Sequence, residues 1–356
     1  MNKIKISGIN FYREDFTIED MPVFFATSDF HKQIYSFLKE WFSNDRTIKL
    51  HTSGSTGEPK EITVLKKQML ASAYMTCKYF ELKESDKALL CLSVDYIAGK
   101  MMLVRAIYSG MDIYPVEPKG HPLKETSSSF DFAAMVPLQV YNSLQTEDER
   151  MKLSQIRNLI IGGGAINSEL EKALRQFPNS VYSTYGMTET LSHIGLRKIN
   201  GEDASDYYTP LTGVSIKLSD NGTLIIDTPS IADETIVTND IAEIRANGSF
   251  RIIGRIDNII NTGGIKVQTE EVEEKLKPFM KGNYAISSIP HPKLGETIVL
   301  LIDNKEDMQS KEIITKTLPR YKQPQQLIKV EEIPLTGSGK PDRTAIKKLA
   351  EFMTQL

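Results

Sequence analysis

The chain reads as an α/β protein with a large N-terminal domain on a parallel sheet, a β-rich subdomain and a small α+β region at the end. Three observations predict this. Between about residues 60 and 190, short apolar runs alternate with longer segments of helical period. That is the pattern of βαβ units around a mostly parallel sheet. After about residue 207, Asn-Gly pairs separate alternating stretches, the signal of antiparallel hairpins. From Asp257 onward, helices and strands mix in a segment rich in Lys and Glu with several Pro.

The elements follow in order. Buried strands are expected at 88–92, 111–116, 130–136, 159–161 and 181–184, each a short apolar run. A sheet covered on both faces requires such runs. A helix is expected over 168–177, with Ser168 and Glu171 at capping-box spacing and Leu170, Ala173, Leu174 and Phe177 on one face. Asp220, Asn221 and Gly222 separate 215–218 from 223–226. Asn247 and Gly248 separate 241–245 from 249–253. The change of style at 254–257 predicts a linker, and so domains of 1–255 and 256–356.

Composition excludes several classes. The 356 residues are 40% hydrophobic and 25% charged, which is globular and neither disordered, collagen-like nor coiled-coil. Lys and Arg number 43 against 46 Asp and Glu, a net charge of -3. Binding to nucleic acid needs a clustered positive surface, so none is expected. Two cysteines, Cys77 and Cys91, and five scattered His make neither a disulfide framework nor a zinc site. Both thiols are expected in the core. No signal-peptide stretch and no run of 18 apolar residues occurs, so a cytoplasmic protein without a membrane span is expected.

Four segments carry candidate chemistry. Thr52, Ser53, Gly54, Ser55, Thr56 and Gly57 precede Glu58, Pro59 and Lys60. Backbone N–H groups, hydroxyls and a Lys in such a loop suit a polyphosphate, although a Walker A motif does not fit. A polar surface loop is the alternative. Gly162, Gly163, Gly164 and Ala165 follow an apolar strand. They allow close approach of a planar ligand or simply make a turn. Tyr185, Gly186, Met187, Thr188, Glu189 and Thr190 also follow a strand. A ring, a hydroxyl and a carboxylate there could stack a base, bond a phosphate and hold Mg²⁺, or be a solvated strand end. Lys340 ends the Gly337-Ser338-Gly339 loop, which could equally be a surface loop.

In this order the segments resemble the adenylate-forming superfamily of acyl- and aryl-CoA ligases, peptide-synthetase adenylation domains and luciferases. Thr238-Asn239-Asp240, Gly254-Arg255-Ile256-Asp257-Asn258 with Gly263-Gly264, Leu318-Pro319-x-Tyr321-x-x-Pro324 and 336–343 resemble further motifs of that family. The resemblance runs from about residue 50 to the end. It implies that a carboxylate attacks the α-phosphate of MgATP, giving an acyl-adenylate and pyrophosphate. Lys60 and its loop would hold the β- and γ-phosphates, Thr188 the α-phosphate and Glu189 the Mg²⁺. Tyr185 and 162–165 would sandwich adenine, and Asp240, with Arg255 nearby, would hold the ribose. Lys340 would bridge the attacking carboxylate and the α-phosphate. The resemblance also implies a mobile C-terminal lid at 256–356 that turns about Asp257. Turning would bring Gly263 and Gly264 to a tunnel for CoA.

Residues 191–197 are similar to the o-succinylbenzoate–CoA ligases of menaquinone biosynthesis. That acid has two carboxylates, one activated and one recognised. Ser192 and His193 could bond the second, or merely pack beside the nucleotide; Arg197 could join them but reads rather as a solvated charge. Tyr96 stands where CoA ligases of the superfamily often carry His, and Asp95 beside it suits an amino group better than a dianion. A stand-alone enzyme adenylating an amino acid or another acid is therefore the alternative. An inactive nucleotide-binding protein is a third, disfavoured by Lys60, Glu189, Asp240 and Lys340 occurring together. Only 51 residues precede the phosphate loop, so a short N-terminal part and an acid pocket with fewer walls are expected. No carrier domain follows 356, which favours free CoA as acceptor. Self-association is left open.

Overall fold

The computed structural model describes residues 2–17, 20–51, 61–127, 129–280, 282–303, 310–335 and 341–354, with backbone only at 51 and 310–313. The chain forms two compact units. The first comprises Met1–Ile216, Ile226–Ile236 and Ala246–Phe250; the second comprises Lys217–Ile225, Val237–Arg245 and Arg251–Leu356.

The first unit begins with a hairpin of β1 (Lys3–Ile6) and β2 (Ile9–Tyr12), followed by α1 (Asp29–Phe42). Ser28 caps α1 by accepting from the His31 N–H. The hairpin β3 (Thr47–His51) and β4 (Glu61–Leu65) leads into α2 (Lys66–Tyr79). Then β5 (Lys87–Leu90), α3 (Ile97–Ser109), β6 (Asp112–Pro115), β7 (Phe132–Met135), α4 (Pro137–Ser143), α5 (Glu147–Ser154), β8 (Asn158–Ile161), α6 (Ser168–Leu174) and β9 (Ser180–Gly186) alternate. Finally β10 (His193–Lys198) and β11 (Thr209–Pro210) close the series.

Nine of these strands make one sheet, in the order β11-β10-β9-β8-β7-β5-β6-β1-β2. The central six, β9 to β1 in that order, run parallel, and the edge strands are antiparallel. Side chains alternate between faces with period two. Leu90, Phe132 and Ile160 enter the core cluster on one face, while Leu89, Ala133, Leu159 and Val181 enter the other. The expected strands are therefore present, within a few residues at their ends. The helix expected at 168–177 is present as α6, but its cap is different. Asn167, not Ser168, accepts from the Leu170 N–H at 2.7 Å. Asn is as good a cap as Ser, and the two adjoin in sequence, so spacing alone chose the wrong one.

The strands β12 (Ser215–Leu218), β13 (Thr223–Asp227), β14 (Ile236–Ile244) and β15 (Phe250–Arg255) form a four-stranded sheet in sequence order. Their links are too short for parallel crossovers, as the Asn-Gly pairs predict. The second unit continues with β16 (Ile259–Thr262), β17 (Ile265–Gln268), α7 (Thr269–Leu276), β18 (Tyr284–His291), β19 (Gly295–Asp303), α8 (Ser310–Thr317), β20 (Gln326–Val330) and α9 (Arg343–Met353). Its sheet has the order β17-β16-β19-β18, with β20 parallel to β19. Core clusters lie around Leu276, Leu300 and Ile314, and around Leu301, Ile333 and Ile346. No helix among the described residues is long and apolar enough to cross a membrane.

Candidate functional site

In the first unit, β8 and β9 are parallel neighbours with Ile161 opposite Ser183. Residues 162–165 and Tyr185 therefore leave adjacent strand ends side by side. Those are the carboxyl ends, where open parallel sheets bind ligands. The Tyr185 ring is half-buried, edge-on to Phe250 at 5.3 Å and tilted against Tyr208 at 5.9 Å. At Gly186 an added Cβ would stand 2.3 Å from the Ser192 carbonyl oxygen. Glycine is needed there for β9 and β10 to approach.

The loop between β9 and β10 presents Thr188, half-buried, and Glu189, exposed. Thr190 shapes it. This residue is fully buried, and its hydroxyl accepts from the Met187 N–H at 2.9 Å. The same hydroxyl lies 3.0 Å from the Met187 carbonyl and 2.7 Å from that of Ser192. Leu191 takes a left-handed φ of 61°, a strained value for a side-chain-bearing residue. A pinned, strained loop holds its neighbours in fixed positions. Among the described residues no group of three or more His, Cys, Asp or Glu could hold a metal ion. Exposed Glu189 alone suits Mg²⁺ held mainly by phosphate oxygens and water.

Behind this loop lies a buried polar cluster, of which the sequence pointed to Ser192 and His193 but not to Arg105. Arg105, on α3, is 2% exposed and has no carboxylate partner among the described residues. It donates to the Ser192 hydroxyl and reaches the Met102 sulfur at 3.6 Å. Its Nε has no partner among the described residues. Burial pulls its pKa down to about 10. His193 lies 3.3 Å from the Ser192 hydroxyl through Nδ1 and 3.2 Å from that of Thr76 through Nε2. Burial, with the Arg105 charge adding to it, pushes its pKa well below the ordinary value, so the ring is neutral.

Several residues fall elsewhere. Tyr96 is the N-cap residue of α3, 55% exposed. Asp95 accepts from Ser93 at 3.1 Å and Gln33 at 3.2 Å, so its carboxylate is satisfied locally. Arg197 is no solvated charge. It is half-buried and pairs with both oxygens of Glu171, at 3.1 and 3.0 Å. The two cysteines are buried, and burial raises their thiols to about 11 for Cys77 and about 12 for Cys91. Both are unreactive core groups. The loop Thr52 to Lys60 and Lys340 lie outside the described residues.

In the second unit Asp240 is buried and Arg255 is half-buried. One guanidinium nitrogen of Arg255 meets Asp240 at 3.0 Å and the other meets Asp257 at 2.9 Å. Gly263 and Gly264 fill the two-residue turn between β16 and β17, with φ of 58° and 82°. Both angles are positive, as a tight hairpin turn of this hand requires. A cavity of about 220 Å³ lies beside the turn, lined by Gly263, Leu294, Thr297, Arg320 and Tyr321 among others. The Thr297 hydroxyl is buried there without a partner among the described residues. Leu335 bridges Pro341, which ties together the two ends of the loop that carries Lys340. Asp342 then caps α9, and Arg343 forks onto both oxygens of Glu273 at 2.6 and 2.7 Å.

The large α/β unit with its mostly parallel sheet, the β-rich sheet and the C-terminal region match the fold of the adenylate-forming enzymes, and the chain is of the ATP-dependent, acyl-adenylate-forming ligase type. The family model for AMP-binding enzymes matches residues 26–229, and the chain belongs to that family. It is 24% identical over 343 residues to the 2-succinylbenzoate–CoA ligase of Listeria monocytogenes serovar 1/2a, covering 87% of this chain and 72% of the relative. To the enzyme of that name from Bacillus cereus strain ATCC 10987 it is 25% identical, covering 96% and 78%. Among solved structures, an acyl-CoA synthetase (AMP-forming)/AMP-acid ligase II-like protein from Dyadobacter fermentans DSM 18053 is 33% identical. Its TM-score is 0.63, over 90% of this chain and 94% of that one.

Proposed function

We propose that the chain joins a dicarboxylic aromatic acid, o-succinylbenzoate, to CoA through an acyl-adenylate, a step of menaquinone biosynthesis. The observation that carries the choice of acid is Arg105. A buried guanidinium without a carboxylate is costly, and an anionic substrate group would complete it. Ser192 is half-buried and bonded to both Arg105 and His193, so a ligand carboxylate would approach them from its side. The named relatives, 2-succinylbenzoate–CoA ligases, agree with this reading. Asp95, already satisfied by Ser93 and Gln33, gives little support to an amino-acid substrate.

In the first half-reaction a carboxylate oxygen of the acid forms a bond to the α-phosphorus, and the bond to pyrophosphate breaks. Negative charge gathers on the α-phosphate oxygens as this happens. Donors fixed in advance lower that barrier, because they do not have to reorganise. Thr188 is assigned to the α-phosphate, Lys60 with the Thr52 to Gly57 loop to the β- and γ-phosphates, and Lys340 to the attacking carboxylate and α-phosphate together. Tyr185 and 162–165 would enclose adenine, and Asp240 and Arg255 the ribose. Mg²⁺, held by Glu189, would supply further charge neutralisation. In the second half-reaction the CoA thiol attacks the acyl carbon and AMP leaves. Residues 256–356 would act as a lid turning about Asp257, with Gly263 and Gly264 serving the CoA step. The cavity beside Gly263 offers room for part of that substrate.

A screen of pyrophosphate release over a panel of acids, with and without CoA, tests the proposal. Turnover with o-succinylbenzoate and thioester formation with CoA are expected. Turnover confined to amino acids, or none with any carboxylate, would overturn it.

A further inference from the structure

We propose that Asn239 is a positioning residue for the hinge: its amide and the Arg255 guanidinium latch the Asp257 carboxylate and hold the hinge in one setting. The inference rests on the reading of Asp257 as the hinge. Asn239 lies on β14, exposed, between buried Thr238 and Asp240. Its Nδ2 donates to both Asp257 oxygens, at 3.1 and 3.0 Å. Arg255, at the end of β15, reaches the same carboxylate at 2.9 Å. Strands β14 and β15 are hydrogen-bonded neighbours, so both donors sit on one rigid sheet. A turn at Asp257 that carries its carboxylate away from this sheet breaks these bonds.

Charge adds to the argument. Arg255 also holds Asp240, at 3.0 Å, so one cation serves two carboxylates. Asn239 supplies the Asp257 carboxylate with a neutral donor where a further anion would repel it. The latch also links the residue assigned to ribose with the hinge through a single guanidinium.

The test measures the two half-reactions separately in the full-length protein. These are pyrophosphate release on mixing with MgATP and o-succinylbenzoate (or whichever panel acid turns over), and thioester formation when CoA meets preformed acyl-adenylate. Losing the amide donor in Asn239→Ala is expected to change the ratio of the two rates about threefold to tenfold. Asn239→Asp is expected to shift the ratio further in the same direction, because a like charge then faces Asp257. Its excess over Ala should shrink at high salt. Both variants should unfold near the wild-type midpoint, since Asn239 is exposed. A purely structural role would make isosteric Asp milder than Ala, and that ordering, or an unchanged ratio in both variants, overturns the latch. Asp257→Pro separates the two levels. If it slows both half-reactions equally, the hinge reading falls and the latch with it. If it splits them while both Asn239 variants match wild type, only the latch falls.

Discussion

A guanidinium inside an apolar helix is the most informative single residue in this chain. Arg105 is buried without a carboxylate among the described residues, so its charge opposes folding at neutral pH. Arg105→Met should therefore stabilise the fold, by about 1–3 kcal/mol in urea denaturation. It should also lower kcat/KM for o-succinylbenzoate by about 10- to 100-fold, the value of charged hydrogen bonds, while sparing an acid with one carboxylate. Loss of stability together with equal loss for both acids would make Arg105 a packing residue. His193 gives a pH signature. Its folded pKa lies well below 6.5, so as pH falls through about 6.5 the unfolded chain takes up a proton that the folded one refuses. Stability is thus lost as pH falls below about 6.5, and His31, also lowered by burial, acts in the same direction. His193→Asn should flatten that segment of the curve, measured by unfolding midpoint against pH. Of this cluster the sequence showed Ser192 and His193 as candidates but not Arg105. The available signal was one charge within the apolar run 101–107, on a helix buried on nearly every side.

At the scale of the element, the β9–β10 loop shows how local chemistry places a site. Its Tyr-Gly-x-Thr-Glu pattern was legible because glycine and threonine have local jobs there. The role of Thr190 was not, since its hydroxyl reads as one more polar residue until the turn is closed. Thr190→Val leaves the Met187 N–H without its acceptor in a buried place. A loss of about 1–3 kcal/mol is expected by denaturant unfolding, with slower adenylation because Thr188 and Glu189 lose their fixed presentation. Destabilisation with normal adenylation would show that the loop's shape does not position them. The start of α6 makes the complementary point. Asn167 and Ser168 are adjacent, equally good caps, and only the hydrogen bond from the Leu170 N–H distinguishes them.

Across the whole molecule, two units carry residues assigned to one reaction. Lys340→Ala should reduce pyrophosphate release at least 100-fold, as loss of a transition-state donor does, with no change in unfolding midpoint. Near-normal release would remove Lys340 from that role. The loop's ends are fixed by the Leu335–Pro341 bridge and by the cap on α9, so the substitution leaves the surrounding frame intact. By itself the sequence determined the strands, the hairpin turns, the order of the motifs and the family to which they point. Each depends on neighbours a few residues away, through apolar period, glycine and asparagine turn chemistry, and short polar loops. Only the tertiary structure decided which polar groups meet in the core. Arg105 and Ser192 are 87 positions apart, and Asn239 and Asp257 are 18 apart. Such pairings follow from how helices and strands pack, because the energy of a buried charge or a latched carboxylate depends on what surrounds it in space, which local sequence does not encode.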